Sequence, residues 1–124
     1  MANSYRDLIV WQRAIQMTVS VYNCSAKFPK DEAFGLTSQI RRASVSVASN
    51  IAEGYGRGTR GEYKNFLGIA RASNCELQTQ LTIARELGYA SSELLLASEA
   101  MSEEVGKMIF AILKKLATSK VVVD

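Results

Sequence analysis

Apolar residues recur at three- and four-residue steps along most of the chain, and a single proline, Pro29, interrupts them. Such a period buries one face of a helix, and proline is the residue that most often breaks one. The chain is thereby confined to long helices packed on each other. Its 124 residues suit one domain with one core.

The spacing predicts four helices, at about 6–27, 36–55, 60–87 and 92–118, followed by a β-prone tail over 119–124. In the first, Leu8, Trp11, Ile15, Thr18, Tyr22 and Ser25 fall on one side, while Val10, Met17, Val19 and Val21 add apolar surface elsewhere. The second places Leu36, Ile40, Ala43, Ser44, Val47, Ile51 and Tyr55 on one stripe. The third carries Tyr63, Phe66, Leu67, Ala70, Asn74, Leu77, Leu81 and Ala84 on its core side, and Thr59 with Glu62 reads as its capping box. The fourth, capped by Ser91, repeats Leu94, Met101, Val105, Met108, Ile112 and Leu116. Short joints make neighbours antiparallel, so the expected fold is an all-α, up-down-up-down four-helix bundle.

The second joint reads Gly56-Arg57-Gly58-Thr59-Arg60-Gly61, a letter-for-letter G-x-G-x-x-G. A dinucleotide fingerprint needs a strand before it, and here a helix precedes it; a P-loop needs a Lys-Ser/Thr ending, which is missing. The joint is therefore a hinge, with Gly54 ending the second helix and Gly56 and Gly58 free to take positive φ. Free N–H groups at the start of the third helix, with Arg57 and Arg60 beside them, still suit a phosphate of a polymer.

The chain has no histidine, which excludes Ser-His-Asp and Cys-His nucleophile systems and histidine metal sites. The two cysteines, Cys24 and Cys75, lack ligand spacing and read as free packed thiols in a reducing compartment, with a disulfide between them as the lesser alternative. No catalytic residue, metal or cofactor is expected. The N-terminal "MANSYRDLIVW" places Arg6 and Asp7 where a secretory leader is apolar, and no apolar run is long enough to span a membrane, so a cytoplasmic protein without membrane contact is expected.

Charge is uneven. Residues 1–71 carry +5 and residues 72–124 carry −2. Arg41, Arg42, Arg57, Arg60, Lys64 and Arg71 are the candidate phosphate-binding cations, expected around the second joint. A solvated edge with intrahelical ion pairs is the alternative reading of the same residues. Glu53, at the unfavourable end of its helix dipole, calls for a cationic partner: Arg57 or a residue of another subunit. Helices apolar on two sides, such as the first and the third with Ile69, Ala72 and Ile83, call for a second subunit.

"RDLIVWQRA", "FPKDEAFGLTSQIRRASVSVASNIAEGYGRG", "EYKNFLGIARAS" and "ELQTQLTIARELGY" resemble a four-helix-bundle family encoded within intervening sequences of bacterial 23S rRNA genes. The likeness covers nearly all of 5–89, and the fourth helix matches in pattern. Val47-Ala48 stands where the family often has isoleucine-proline. The resemblance implies an antiparallel bundle assembled as a homopentamer with a basic surface. It also implies a relation to the accessory variability determinant of diversity-generating retroelements, which binds reverse transcriptase and nucleic acid. It marks Gln39, Arg41, Arg42, Asn50, Glu53 and Gly54 as motif positions. The expectation is a non-enzymatic homo-oligomer, likened to a pentamer, that binds RNA or DNA through phosphates. The alternative is a scaffold presenting Arg42, Ser46, Ser49 and Glu53 to another protein.

Overall fold

The computed structural model describes residues 3–123, with side chains described for 3–118. Four helices, α1 (Ile9–Ser25), α2 (Leu36–Gly56), α3 (Arg60–Glu86) and α4 (Ser92–Val123), follow one another up, down, up and down. Short 3-10 turns at Tyr5–Asp7 and Lys30–Glu32 precede α1 and α2. Each helix packs on two neighbours: α1 and α3 both contact α2 and α4. The four-helix bundle expected from the spacing is the fold.

The core holds Val10, Ala14, Met17 and Val21 of α1, Ile40, Val47 and Ile51 of α2, Leu67, Leu77 and Leu81 of α3, and Leu95, Val105 and Ile109 of α4. For α2 and α3 these follow the expected stripes. For α1 they do not. The expected stripe is split: Ser25 is buried, Leu8 and Trp11 pack partly buried against the core, and Ile15 and Tyr22 turn outward, 38% and 41% exposed. A helix apolar on nearly every side offers no contrast from which periodicity can choose the buried face. In α4 the inner seam runs through Leu95, Ser98, Ser102, Val105 and Ile109, and Leu94 is 40% exposed. Two serines on that seam disguise it in a hydrophobic pattern.

Those serines are hydrogen-bonded. Ser98 Oγ lies 2.7 Å from Ser20 Oγ of α1. Ser102 Oγ donates to Asn74 Oδ1 of α3 at 2.8 Å, and Asn74 Nδ2 donates to the Ser102 carbonyl at 2.9 Å. Buried polar groups paired across helices hold α4 in one register.

The helices are unequal. α1 has 17 residues and α4 has 32, roughly 26 and 48 Å at 1.5 Å per residue. Arg13 pairs with Glu104 at 3.6 Å, so α4 continues well beyond the start of α1. Residues 119–123, expected as a tail, continue α4 to Val123, and Asp124 lies outside the described residues. β-propensity is a weak preference that an established helix overrides.

At the opposite end, Glu32 joins two loops. Its carboxylate accepts from the Tyr89 hydroxyl at 2.6 Å and from the Leu36 N–H at 2.9 Å. The Tyr89 hydroxyl and the N–H hold Glu32 below the usual carboxylate range, and the same bond pushes the Tyr89 phenol up. Gly88, at φ +70°, closes α3 as its position predicts.

Candidate functional site

The joint between α2 and α3 is a turn of three residues, 57–59. Thr59 caps α3, its hydroxyl accepting from the Glu62 N–H at 3.2 Å. The Glu62 carboxylate, instead of closing the capping box on the Thr59 N–H, accepts from Arg57 Nη1 at 3.2 Å. Arg57 Nε also donates to Glu53 at 3.1 Å, which supplies the cationic partner that Glu53 calls for. Gly58 has φ +83°, but Gly56 is the last residue of α2. Gly54 does not end α2. It is buried two residues from the end, and a Cβ there would lie 2.6 Å from Phe66 Cβ. Its role is close approach of α2 to α3, which only the neighbouring helix reveals.

The six candidate cations do not form one cluster. Arg41 and Arg42 lie near the start of α2, 15 residues before Arg57 and so roughly 22 Å along the helix. Arg41 is spent on α1: Nε donates to Ser25 Oγ at 2.8 Å, and the guanidinium lies 4.6 Å from the Tyr22 ring centroid. Arg42 donates to Ser38 Oγ at 3.2 Å and lines an outer groove between α2 and α3 with Gln39, Ser46, Ser73 and Glu76. Asn50, on the same flank, donates to the Ser46 carbonyl at 2.8 Å. The motif positions Gln39, Arg42, Asn50 and Glu53 thus follow one side of α2, beside α3.

Arg60, Lys64 and Arg71 are brought together. They stand at steps of four and seven on α3, so they share one edge, the edge toward α4. None has a carboxylate within 4 Å among the described residues. Arg85, two turns past Gln78 on the same line, is withdrawn from it by Glu99, whose carboxylate takes Arg85 Nε at 2.8 Å. That bond holds the Arg85 guanidinium even more firmly protonated. Arg60 borders a hollow of about 360 Å³ with Asn3, Tyr55, Gly58, Thr59 and Tyr63.

Across from this edge, α4 supplies what the residue pattern does not flag. Lys107 and Phe110 line a groove of about 320 Å³ with Arg71, Asn74, Cys75 and Gln78. Arg71 stacks on Phe110, its guanidinium carbon 5.1 Å from the ring centroid. Lys114 stands seven residues beyond Lys107 on the same face. Neither lysine has a carboxylate within 4 Å among the described residues. The signal is present as a seven-residue spacing matching that of Lys64 and Arg71, hidden by the net negative charge of the second half. Glu103 closes the far end of the groove.

Cys75 is exposed in that groove, whereas Cys24 is buried in the core, where desolvation pushes its thiol up; both are free. Among the described residues no group of three His, Cys, Asp or Glu could hold a metal ion, and no helix is long and apolar enough to cross a membrane.

The outer face of α1 and α2 is a second feature. Trp11, Ile15, Val45, Ala48 and Ala52 line a groove of about 300 Å³ closed by Tyr5. Val19, one turn beyond Ile15, is 54% exposed and Val45 is 42% exposed.

The family model described as 23S rRNA-intervening sequence protein matches residues 6–111. No curated protein matches the chain. A solved structure, of a protein with unknown function from the S23 ribosomal protein family of Bacteroides thetaiotaomicron VPI-5482, aligns with a TM-score of 0.79 at 23% identity, covering 86% of this chain and 99% of that one. At that identity the likeness is one of fold.

Proposed function

The chain belongs to the 23S rRNA-intervening sequence protein family, and on that premise we propose that it is a non-enzymatic homo-oligomer that holds nucleic acid by its phosphates. The observation that carries this reading is the edge of Arg60, Lys64 and Arg71 on α3 facing Lys107 and Lys114 on α4, with no carboxylate within 4 Å of any of them among the described residues. Cations without carboxylate partners on two facing helices suit a polyanion, and none of the motifs that read base sequence is present.

Assembly is supported by the exposed Ile15, Val19 and Tyr22 of α1 with Val45 of α2, since a row of large apolar side chains on a single small bundle suits burial against another copy. Five copies is the number the family resemblance implies. A mass in solution equal to one 13.6 kDa chain at micromolar concentration overturns this half of the proposal.

Five phosphate contacts give a salt slope of about −3.5 on single strands, or about a hundredfold loss between 50 and 200 mM salt. Charge reversal at Lys64 and Arg71 is expected to abolish retention on RNA at low salt, and reversal of Lys30, at the other end of the bundle, to leave it intact. Absence of binding at low salt, or equal loss in both variants, defeats the reading.

A further inference from the structure

We propose that the groove between α3 and α4 takes an unpaired nucleobase on the Phe110 ring, so that the preferred ligand is single-stranded rather than duplex. This inference rests on the phosphate-binding reading of the same edge and adds to it a contact with bases.

Phe110 is 49% exposed in the middle of a cationic edge. A large aromatic left half open there is unlike the other rings near this end of the bundle: Tyr55 and Tyr63 are packed against each other, their centroids 5.5 Å apart. Side chains on a helix lean toward its N-terminus, so the Phe110 ring lies over the turn that holds Gly106. Gly106 adds no side chain to that turn. A Cβ there would come within 3.0 Å of Asn74 Nδ2, so the glycine also lets α4 approach α3. The outcome is an open floor beside the ring.

Arg71 lies over one side of Phe110, at 5.1 Å from the centroid. A guanidinium stacked on a ring still presents its edge N–H groups to a phosphate. A base on the exposed part of the ring and its own phosphate on Arg71 therefore fit one nucleotide unit, with Lys107 and Lys114 on the α4 side for the phosphates that follow. Stacking of this kind tolerates any base, because every base has a π-face. A duplex, whose bases are already stacked on each other, cannot deliver one to the ring without being opened.

The test compares oligo-dC of about 12 nucleotides, long enough to reach past all five cations of the edge, with an abasic strand carrying the same phosphates. The wild-type protein is expected to bind oligo-dC about tenfold more tightly, as one base–aromatic stack provides. Phe110→Ala removes that difference and keeps the salt slope; Phe110→Trp retains the difference. In the tryptophan variant the new indole is quenched by oligo-dC and not by the abasic strand, with Trp11 as constant background. Circular dichroism of both variants is expected to match the wild-type protein, because the position is half exposed. Equal affinity of the wild-type protein for both strands, or an unchanged preference in Phe110→Ala, overturns the stacking inference while leaving phosphate binding in place. Failure of both strands to bind at low salt overturns the two together.

Discussion

Replacing Gly54 by alanine sets two known effects against each other. Alanine in place of glycine inside a helix gains about 1 kcal/mol from propensity. At Gly54, however, the new Cβ arrives 2.6 Å from Phe66 Cβ and 3.4 Å from the backbone Cα of Tyr63. Ordinary carbon contacts begin at ~3.5 Å, so α2 and α3 must part by close to an ångström where Gly54 meets Phe66. Overpacking of that kind costs about 1–3 kcal/mol. Gly68, in the middle of α3, supplies the control: a Cβ there would meet nothing within 4 Å, so Gly68→Ala gains from propensity alone. The difference between the two variants isolates the steric cost. With an unfolding entropy of about 2.1 cal/mol/K per residue, 1 kcal/mol moves the midpoint of a chain of this length by about 4 °C. Gly54→Ala should therefore melt about 4–12 °C below Gly68→Ala in thermal unfolding followed by circular dichroism at one protein concentration. Because the obstructing atom is a Cβ, Phe66→Ala does not rescue Gly54→Ala. Equal midpoints for the two alanine variants, or rescue by Phe66→Ala, would show that Gly54 is not there for close packing.

Ser102→Ala leaves Asn74 Oδ1 buried without its donor, and denaturant unfolding should show a loss of about 1–3 kcal/mol. A change below a few tenths would mean the pair contributes nothing to register. The bond between Glu32 and Tyr89 sets an acid limb. The folded-state value of Glu32 lies below its ordinary 4.5, so its contribution is fully present above that value and is lost as pH falls through the lower, folded one. The gap in melting temperature between the wild-type protein and Glu32→Gln should accordingly close on acidification; a gap independent of pH would refute the assignment.

The bundle itself was legible because α2 shows one apolar stripe against polar neighbours, because the core stripe of α3 runs unbroken past the scattered Ile69 and Ile83 on its outer side, and because Thr59 and Gly88 mark ends with chemistry that local sequence carries. What escaped depended on a neighbouring helix. Gly54 reads as a terminator until Phe66 is seen to press on it. Arg41 reads as a surface cation until the end of α1 is seen to hold it by Ser25 Oγ. Ile15 and Tyr22 read as core because α1 is apolar almost all round, and only the packing of Ala14 and Met17 settles which side turns inward. The edge of the candidate site was half visible. Lys64 and Arg71 lie on α3 in the basic half, whereas Lys107 and Phe110 belong to a half whose net charge conceals them.

The polar pairs along α4 have a mechanical consequence. Helices that touch only through aliphatic side chains can ratchet past each other by one turn, about 5.4 Å, without losing any directional contact. Here such a slip would part Ser98 from Ser20 and Ser102 from Asn74 in the same stroke, with α1 and α3 resisting together. α4 is thus pinned lengthwise rather than free to act as a piston, and a load applied to its long end is carried into the bundle as bending, not as sliding.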